Sequence, residues 1–333
     1  MGNNEPFNVL TIAIPAYNIG DYVERAISSL AKCRSLSLLD ILVINDGSTD
    51  ATGEIAKACA KLHPENVRVV DKENGHYGSA INRAIDEARG TYLKILDGDD
   101  EYHADGLDAL VAFLVETLDS PDMVITDYEV VYEQTGAKTR YSQELTPMIA
   151  TSFDAARLSP CAMHSLTYKT SVLKAMGDRL DEGVAFTDVE FTLFPLSGVE
   201  TVAYCDSLVY SYKIGREGQS VDIACIDRNM PSHELVLKHC IDWFERIEGS
   251  LSAAKRDYVA VRLAGMLDDH VHRCLLSKDP DKWLSGLKEI VARCKACRPI
   301  IRNSKSLGLK LLRTTCFLAY KPMNRFKRRS LKA

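Results

Sequence analysis

Thr91-Tyr92-Leu93-Lys94-Ile95-Leu96-Asp97-Gly98-Asp99-Asp100 carries a short, mostly apolar run of strand-forming residues that stops at three carboxylates grouped around one glycine. A strand ending in this way delivers oxygen ligands to a sheet edge. Such a set suits a hard divalent cation, Mg2+ or Mn2+, held by one or two carboxylates together with a substrate's phosphates. A solvated acidic turn capping the next helix has the same composition. An EF-hand is disfavoured, because the DxDxDG ladder and its closing Glu are missing.

Upstream the same cycle recurs. Val9 to Pro15 (VLTIAIP), Asp40 to Asn45 (DILVIN) and Val67 to Asp71 (VRVVD) read as buried strands, with helical patterns over Asp21 to Cys33, Ala51 to Leu62 and Gly78 to Ala88. Strands buried on both faces and separated by helices predict an α/β fold with a mixed, mostly parallel sheet flanked by helices. Ligands are then expected beyond the strands' carboxyl ends. Tyr17-Asn18, Asp46-Gly47-Ser48 and Asp97-Gly98-Asp99-Asp100 stand at those ends. Gly47 suits a left-handed turn, and Thr49 or Asp50 is placed to cap the helix from Ala51. The Asp46 carboxylate is able to accept hydrogen bonds from a nucleobase imide or a ribose hydroxyl.

Downstream, MVITDYEVVYE predicts one or two strands, SLTYKTSVLKAM a strand entering a helix, and TVAYCDSLVYSYKI a pair of strands. From Met230 the pattern is helical, with helices predicted over Ser232 to Glu248, Ala254 to Leu276, Lys282 to Ala296 and Lys305 to Tyr320. The boundary falls in the polar stretch Gly215 to Asn229, which predicts one domain over residues 1–220 and a helical C-terminal region with a basic tail over 221–333.

The 333 residues carry 41 Lys+Arg and 46 Asp+Glu, a net charge of -5 that hides an asymmetry. From Val291 onward there are 13 Lys/Arg and no Asp or Glu, so the preceding 290 residues hold 28 basic and 46 acidic side chains, or -18. The basic end mixes Leu307, Leu309, Leu311, Leu312, Phe317, Leu318 and Tyr320 with Lys310 and Arg313, ahead of Lys321, Arg325, Lys327, Arg328, Arg329 and Lys332. It fits docking on an anionic membrane face over residues 307–333, or a helix packed on the domain and followed by a disordered tail. Nucleic acid is not expected as a partner, since aromatic interleaving is sparse and the rest of the chain is acidic.

No apolar run approaches the length of a spanning helix. Met1 to Asn8 has neither a basic nor an apolar signal-peptide region, and Pro6 stands where a myristoylation signal needs Ser or Thr. The ten scattered cysteines therefore point to a reducing cytoplasm, with the protein peripheral at the inner membrane face if the tail docks. Cys294 and Cys297 with His270, His272 and Cys274 offer zinc-ligand types, although a half-buried helix face explains the CxxC spacing equally.

Four ordered motifs together resemble the nucleotide-sugar half of the family-2 glycosyltransferases. They are Ile14-Pro15-Ala16-Tyr17-Asn18; Val43 to Asp50; Asn74-Gly75 with Gly78 and Asn82; and Leu96 to Asp100, the DXD motif. The resemblance covers Val9 to Glu101 and continues more loosely to Ser220. It implies a GT-A fold with a nucleotide-sugar-binding half over 9–101 and an acceptor half over 121–220. It further implies a nucleotide-diphosphate sugar donor of the UDP type, Mn2+ or Mg2+, and inversion at the anomeric carbon. The implied acceptor is a saccharide or lipid-linked saccharide in cell-surface polysaccharide synthesis.

By the same resemblance Pro15, Ala16 and Tyr17 line the nucleobase pocket with Asn18, and Asp46 accepts from the base. Asp97 touches the ribose, Asp99 ligates the metal, and Gly78 and Asn82 sit on a helix beside the donor, where Arg83 reads equally as a solvated helix residue. The family's general base is an Asp at the start of an acceptor-half helix, usually preceded by Glu. Phe186-Thr187-Asp188-Val189-Glu190-Phe191 matches with Thr187 in place of that Glu, which makes Asp188 the candidate base. Thr187 and Glu190 also have the spacing of a capping box. Tyr212 to Ser220, with Arg216, suits closure over a diphosphate or serves as a polar linker. His164 reads as an acceptor contact or a partly buried structural histidine. The alternative function is a non-catalytic nucleotide-sugar-binding or membrane-scaffold module of the same fold. A nicotinamide dehydrogenase is disfavoured, since the first strand ends in Pro-Ala-Tyr-Asn and not GxGxxG.

Overall fold

The structure, a computed structural model, describes residues 8–118, 120–143, 145–215, 225–296 and 298–330. The chain divides into two compact units, Met1–Gly215 and Arg216–Ala333. The first unit runs β1 (Leu10–Ala16), α1 (Val23–Ala31), β2 (Leu39–Asp46), α2 (Thr52–Leu62), β3 (Val67–Lys72), α3 (His76–Glu87), β4 (Tyr92–Ile95), β5 (Glu101–Tyr102) and α4 (Ala104–Glu116). It continues with β6 (Met123–Tyr132), β7 (Lys138–Tyr141), β8 (Met148–Ser152), α5 (Phe153–Ala156), β9 (Leu166–Lys169), α6 (Thr170–Lys174), α7 (Asp188–Leu193) and β10 (Thr201–Ile214).

One mixed sheet carries the order β3-β2-β1-β4-β9-β6-β10-β5, with β7 on β6 and β8 on β10. β1 pairs in parallel with β2 and β4, and β2 with β3, so the carboxyl ends of four strands lie along one edge. β1 and β2 are buried along their whole lengths because helices cover both faces. α1 supplies Val23, Ala26, Ile27 and Leu30, the i, i+3, i+4, i+7 stripe of an amphipathic helix, and packs with Leu107, Leu110 and Leu114 of α4 against Ile12, Ile14, Ile41 and Val43. Each such buried aliphatic side chain contributes roughly 1.5–3 kcal/mol.

At the amino ends of the strands Asp40 is buried in a closed network. Arg68 donates to both of its oxygens from Nε (2.7 Å) and a terminal nitrogen (3.0 Å), and the Thr11 hydroxyl donates to Oδ2 at 2.8 Å.

Two expected strands, TVAYC and SLVYSYKI, form the single strand β10. Its pairing with β6 shifts register between Cys205 and Leu208 and again between Leu208 and Tyr210. These bulges absorb the polar Asp206-Ser207 pair without ending the strand.

The second unit is helical: α8 (Ile226–Ile247), α9 (Ala253–Leu276), α10 (Pro280–Ala296), α11 (Arg298–Asn303), α12 (Leu307–Thr314) and α13 (Tyr320–Ser330). Ser252 caps α9 by accepting from the Lys255 N–H at 3.3 Å. The helix expected over Lys305 to Tyr320 is the shorter α12, which ends at Thr314, and α13, which begins at Tyr320, is a helix that the sequence did not predict. Cys316 and Phe317 take left-handed φ values of 48° and 66°, and the Phe317 N–H donates to the Leu312 carbonyl at 2.7 Å, a helix-ending turn that needs no glycine here. The residues considered for zinc do not converge. His270 lies buried against His233 and Cys274, His272 pairs with Lys327, and Cys297 lies outside the described residues. Among the described cysteines only Cys316 is exposed. No described helix is long and apolar enough to cross a membrane.

Candidate active site

The first two loops of the sheet edge are stitched to each other. Asn18, at φ 51°, donates its N–H to the Ser48 hydroxyl (3.1 Å) and accepts from the Thr49 N–H (2.8 Å). The Ile19 N–H donates to Thr52 Oγ1 (2.8 Å), and the Gly20 N–H to Asp50 Oδ2 (3.0 Å). Asp50 also accepts from the Thr52 N–H at 3.0 Å, so it, and not Thr49, supports the start of α2. Pro15 and the buried Ala16 end β1, and the Tyr17 ring is about half exposed beyond them.

Asp46 is buried at the end of β2. Its Oδ1 accepts from Lys72 Nζ (2.6 Å) and from the Gly75 N–H (3.0 Å), while Asn74 Nδ2 donates to its main-chain carbonyl (2.9 Å). No described residue bonds Oδ2, which is the oxygen left for a ligand. Gly47, at φ 71°, admits no side chain, because a Cβ would lie 2.7 Å from the Asn74 nitrogen.

The acidic turn after β4 is braced by aromatics from distant elements. The Tyr77 hydroxyl of α3 donates to Asp97 Oδ1 (2.5 Å). The Tyr210 hydroxyl of β10 accepts from the Asp97 N–H (3.1 Å) and donates to Asp100 Oδ2 (2.8 Å), and the Lys213 N–H donates to Asp100 Oδ1 (2.8 Å). Burial, reinforced by repulsion among Asp97, Asp99 and Asp100, holds the Asp97 and Asp100 carboxyls well above the usual carboxylate range; Asp188 adds to the effect at Asp97. The same burial and the Asp97 charge push the Tyr77 phenol up. Lys213 Nζ (2.5 Å) and Arg25 Nε (2.6 Å) both pair with the neighbouring Glu101, and Arg25 also donates to the Asp99 carbonyl at 3.1 Å.

His164 sits over this turn. Its ring stacks on Tyr212 with centroids 4.3 Å apart and meets Tyr210 edge-on at 4.6 Å, and its Nε2 lies 3.9 Å from Asp97 Oδ2. One ligand atom from each of Asp97, Asp100 and His164 falls within 4.8 Å of the others. Asp99, expected as the ligand, lies between the two Asp residues but outside that set. Beneath His164 the Lys94 ammonium is fully buried and donates to the His164 (2.8 Å) and Leu166 (3.2 Å) carbonyls, and burial pulls its pKa down to about 7.

Gly78 and Asn82 face the segment that precedes α7. A Cβ on Gly78 would stand 2.1 Å from the Asp181 carbonyl oxygen and 3.1 Å from Thr187 Oγ1. The Asn82 amide donates to the Leu180 carbonyl (2.9 Å) and Glu182 Oε1 (3.0 Å) and accepts from the Leu180 N–H (3.1 Å). The Gly183 N–H donates to the Gly75 carbonyl at 2.8 Å. Phe186 takes a left-handed φ of 70°, which costs about 1–2 kcal/mol in a non-glycine residue, and this bend delivers Asp188 at the first turn of α7. The expected capping box is absent: Thr187 makes no cap bond, its buried Oγ1 has no partner among the described residues, and Glu190 Oε2 accepts instead from the Asp181 N–H at 2.7 Å. Arg83 is half exposed and paired with Glu87, and Arg216 lies outside the described residues.

Sequence reasoning missed Tyr77, Tyr210 and the role of Lys94. A lysine inside the apolar run TYLKIL was the one visible signal.

The site therefore combines carboxylates at the carboxyl-terminal edge of the parallel strands, the half-exposed Tyr17 ring and the buried Asp46 at the ends of β1 and β2, and one further Asp on a strained helix start. The family model described as glycosyl transferase family 2 matches residues 11–176, and through them the chain belongs to that family. The uncharacterized glycosyltransferase EpsJ of Bacillus subtilis is 41% identical over 28% of this chain and 26% of its own length, so this chain matches only about a quarter of that relative. S. aureus TarS 1-349, crystallised with UDP-GlcNAc, aligns at TM-score 0.63 and 20% identity over 86% of this chain and 81% of that one. The mannosyltransferase PcManGT of Pyrobaculum calidifontis, in complex with GDP-Man and Mn2+, aligns at TM-score 0.54 and 16% identity over 96% and 83%. At these identities the two structures establish the GT-A fold of this chain and nothing finer.

Proposed function

We propose that the protein is an inverting glycosyltransferase that moves a sugar from a nucleotide-diphosphate donor, of the UDP type, to a saccharide or lipid-linked saccharide of the cell surface. The observation that carries this reading is that α3 links Asp188 to the acidic turn: the Tyr77 hydroxyl donates to Asp97 Oδ1 at 2.5 Å, and the next residue, Gly78, lies against Thr187, the neighbour of Asp188, although more than ninety residues separate Asp188 from Asp97 in sequence. A solvated helix cap has no need of that neighbourhood.

In this reading the Tyr17 ring packs on the nucleobase and Asp46 Oδ2 accepts from its imide, while Pro15, Ala16 and Asn18 shape the opening and Asp97 meets the ribose. One oxygen each of Asp97 and Asp100 and a ring nitrogen of His164 converge, with Asp99 next to them in the turn, and this set fits a divalent cation of the Mn2+ or Mg2+ type, which carboxylates that repel each other favour. Such a cation supplies charge neutralisation for the diphosphate. Asp188 takes the proton of the acceptor hydroxyl as that oxygen bonds to the anomeric carbon, and the carbon–oxygen bond to the diphosphate breaks on the opposite face. A positioned base of this kind is worth about 10²–10⁴ in rate.

The test is donor turnover with UDP-, GDP- and dTDP-sugars, with and without Mn2+, in wild type, Asp99→Ala and Asp188→Asn. Loss of Mn2+-dependent turnover in both variants is expected. Unchanged turnover in both sinks the assignment, and donor binding without turnover in wild type favours the non-catalytic module.

A further inference from the structure

We infer that α12 and α13 form a docking surface for an anionic lipid bilayer. α13 is held to its own unit on one side only. Tyr320 is buried and its hydroxyl donates to the Cys274 carbonyl at 3.1 Å, while the buried Asn324 amide donates to the Leu275 (3.1 Å) and Ser277 (2.9 Å) carbonyls at the end of α9. That fixes which face looks outward. Lys321, which pairs with Asp281 of α10 at 2.8 Å, and Arg325 and Arg329 fall in one exposed row at i, i+4, i+8, and Pro322 and Phe326 fall in the adjacent row.

The helix before it repeats the pattern. Leu309 and Leu312 of α12 are buried, and Leu307, Lys310, Leu311 and Arg313 are exposed. Leu307 is 81% exposed, Leu318 in the connecting turn 84% and Phe326 75%, so three large apolar side chains stand open within the cationic segment. Gly308 seats α12 beside Leu275 and Met323, with contacts of 3.3 and 3.6 Å awaiting a Cβ, so the two helices adjoin.

Charge complementarity selects the occupant. Lys310, Arg313, Arg325 and Arg329 have no ion-pair partner among the described residues, and residues 291–333 contain no acidic side chain. A second copy of the same face would be repelled. Nucleic acid would answer the charge but leaves the exposed leucines and Phe326 without a purpose, whereas a bilayer interface takes both the cationic rows and the apolar tips. The surface rests on the glycosyltransferase reading only for its use, which is to hold the enzyme where a lipid-linked acceptor lies.

The experiment is co-sedimentation of the full chain with vesicles of phosphatidylcholine alone and of equimolar phosphatidylcholine and phosphatidylglycerol, at low salt and at roughly 0.5 M NaCl. Binding to the anionic vesicles alone, weakened by salt, is expected. The double variant Arg325→Glu/Arg329→Glu lowers it by at least about 100-fold, and Phe326→Ala by about tenfold. Both substitutions are on the exposed face, and an unchanged melting temperature and unchanged turnover of soluble donor show that fold and catalysis are intact. Equal binding to neutral vesicles, undiminished binding by the double variant, or stronger binding to duplex RNA than to anionic vesicles overturns the surface. A failure of donor turnover with vesicle binding intact would count against the catalytic reading alone.

Discussion

The two ends of the parallel strands bury the same residue type to opposite effect. At the amino ends Asp40 meets a bidentate Arg68 and the Thr11 hydroxyl, so its charge is answered where it stands. At the carboxyl ends Asp97 and Asp100 meet tyrosine hydroxyls, a main-chain N–H and other carboxylates, and burial with mutual repulsion drives both carboxyls up. The first arrangement serves stability. The second makes ionisation of these carboxyls costly, a pattern that clusters at functional sites.

Breaking the contrast at its catalytic end should have the largest consequence. Asp188→Asn is expected to lower turnover by about 10³-fold while donor affinity measured by calorimetry stays within a few-fold, since the amide cannot take the acceptor proton. Normal turnover would remove Asp188 from the mechanism. At the other end, Arg68→Met leaves Asp40 buried without its cation and should lower unfolding free energy by about 3 kcal/mol in denaturant titration, with little change in turnover per folded molecule. Asp97→Asn should do the reverse, raising the melting temperature of the metal-free protein while abolishing transfer. If both substitutions destabilise alike, the two ends are not different in kind.

Gly78→Ala forces the Asp181 carbonyl away from α3 and should cut turnover about tenfold or more, with donor affinity retained. The smallest effect concerns Lys94. Its folded pKa is depressed to about 7 from an ordinary value near 10.5, so the unfolded chain binds the extra proton between those limits and stability rises with pH across that window. Lys94→Met should flatten that part of the stability profile, as read from melting temperature at several pH values. A profile identical to wild type would mean that Lys94 remains charged in the fold.

The donor side of this molecule was legible because its strands are local patterns. VLTIAIP, DILVIN and TYLKILDGDD announce both the buried strand and the turn that follows, and β1, β2 and β4 lie where those patterns fall. What escaped depends on partners far away in sequence. Tyr210 reaches Asp100 from 110 residues downstream, and nothing in SLVYSYKI distinguishes its hydroxyl from that of Tyr212. The Thr187–Glu190 spacing is a sound local rule, yet the Glu190 carboxylate is taken by the Asp181 N–H, a competitor that spacing cannot reveal. The pair of strands expected after Val199 merged because the bulges around Leu208 let β10 keep pairing with β6 through a polar interruption. The break between α12 and α13 is set by two non-glycine left-handed residues, Cys316 and Phe317, which composition disguises as continuous helix.

The contacts of α3 bear on how the segment before α7 can be exchanged. Gly78 and Asn82 hold residues 180–182 to a helix that is itself packed on the sheet, so that stretch behaves as an extension of the donor scaffold. A chimera that imports residues 177–193 from a relative would have to carry positions 78 and 82 with it. Without that pair, substitutions are better confined to residues 184–186, since α7 is buried along its length except at Asp188.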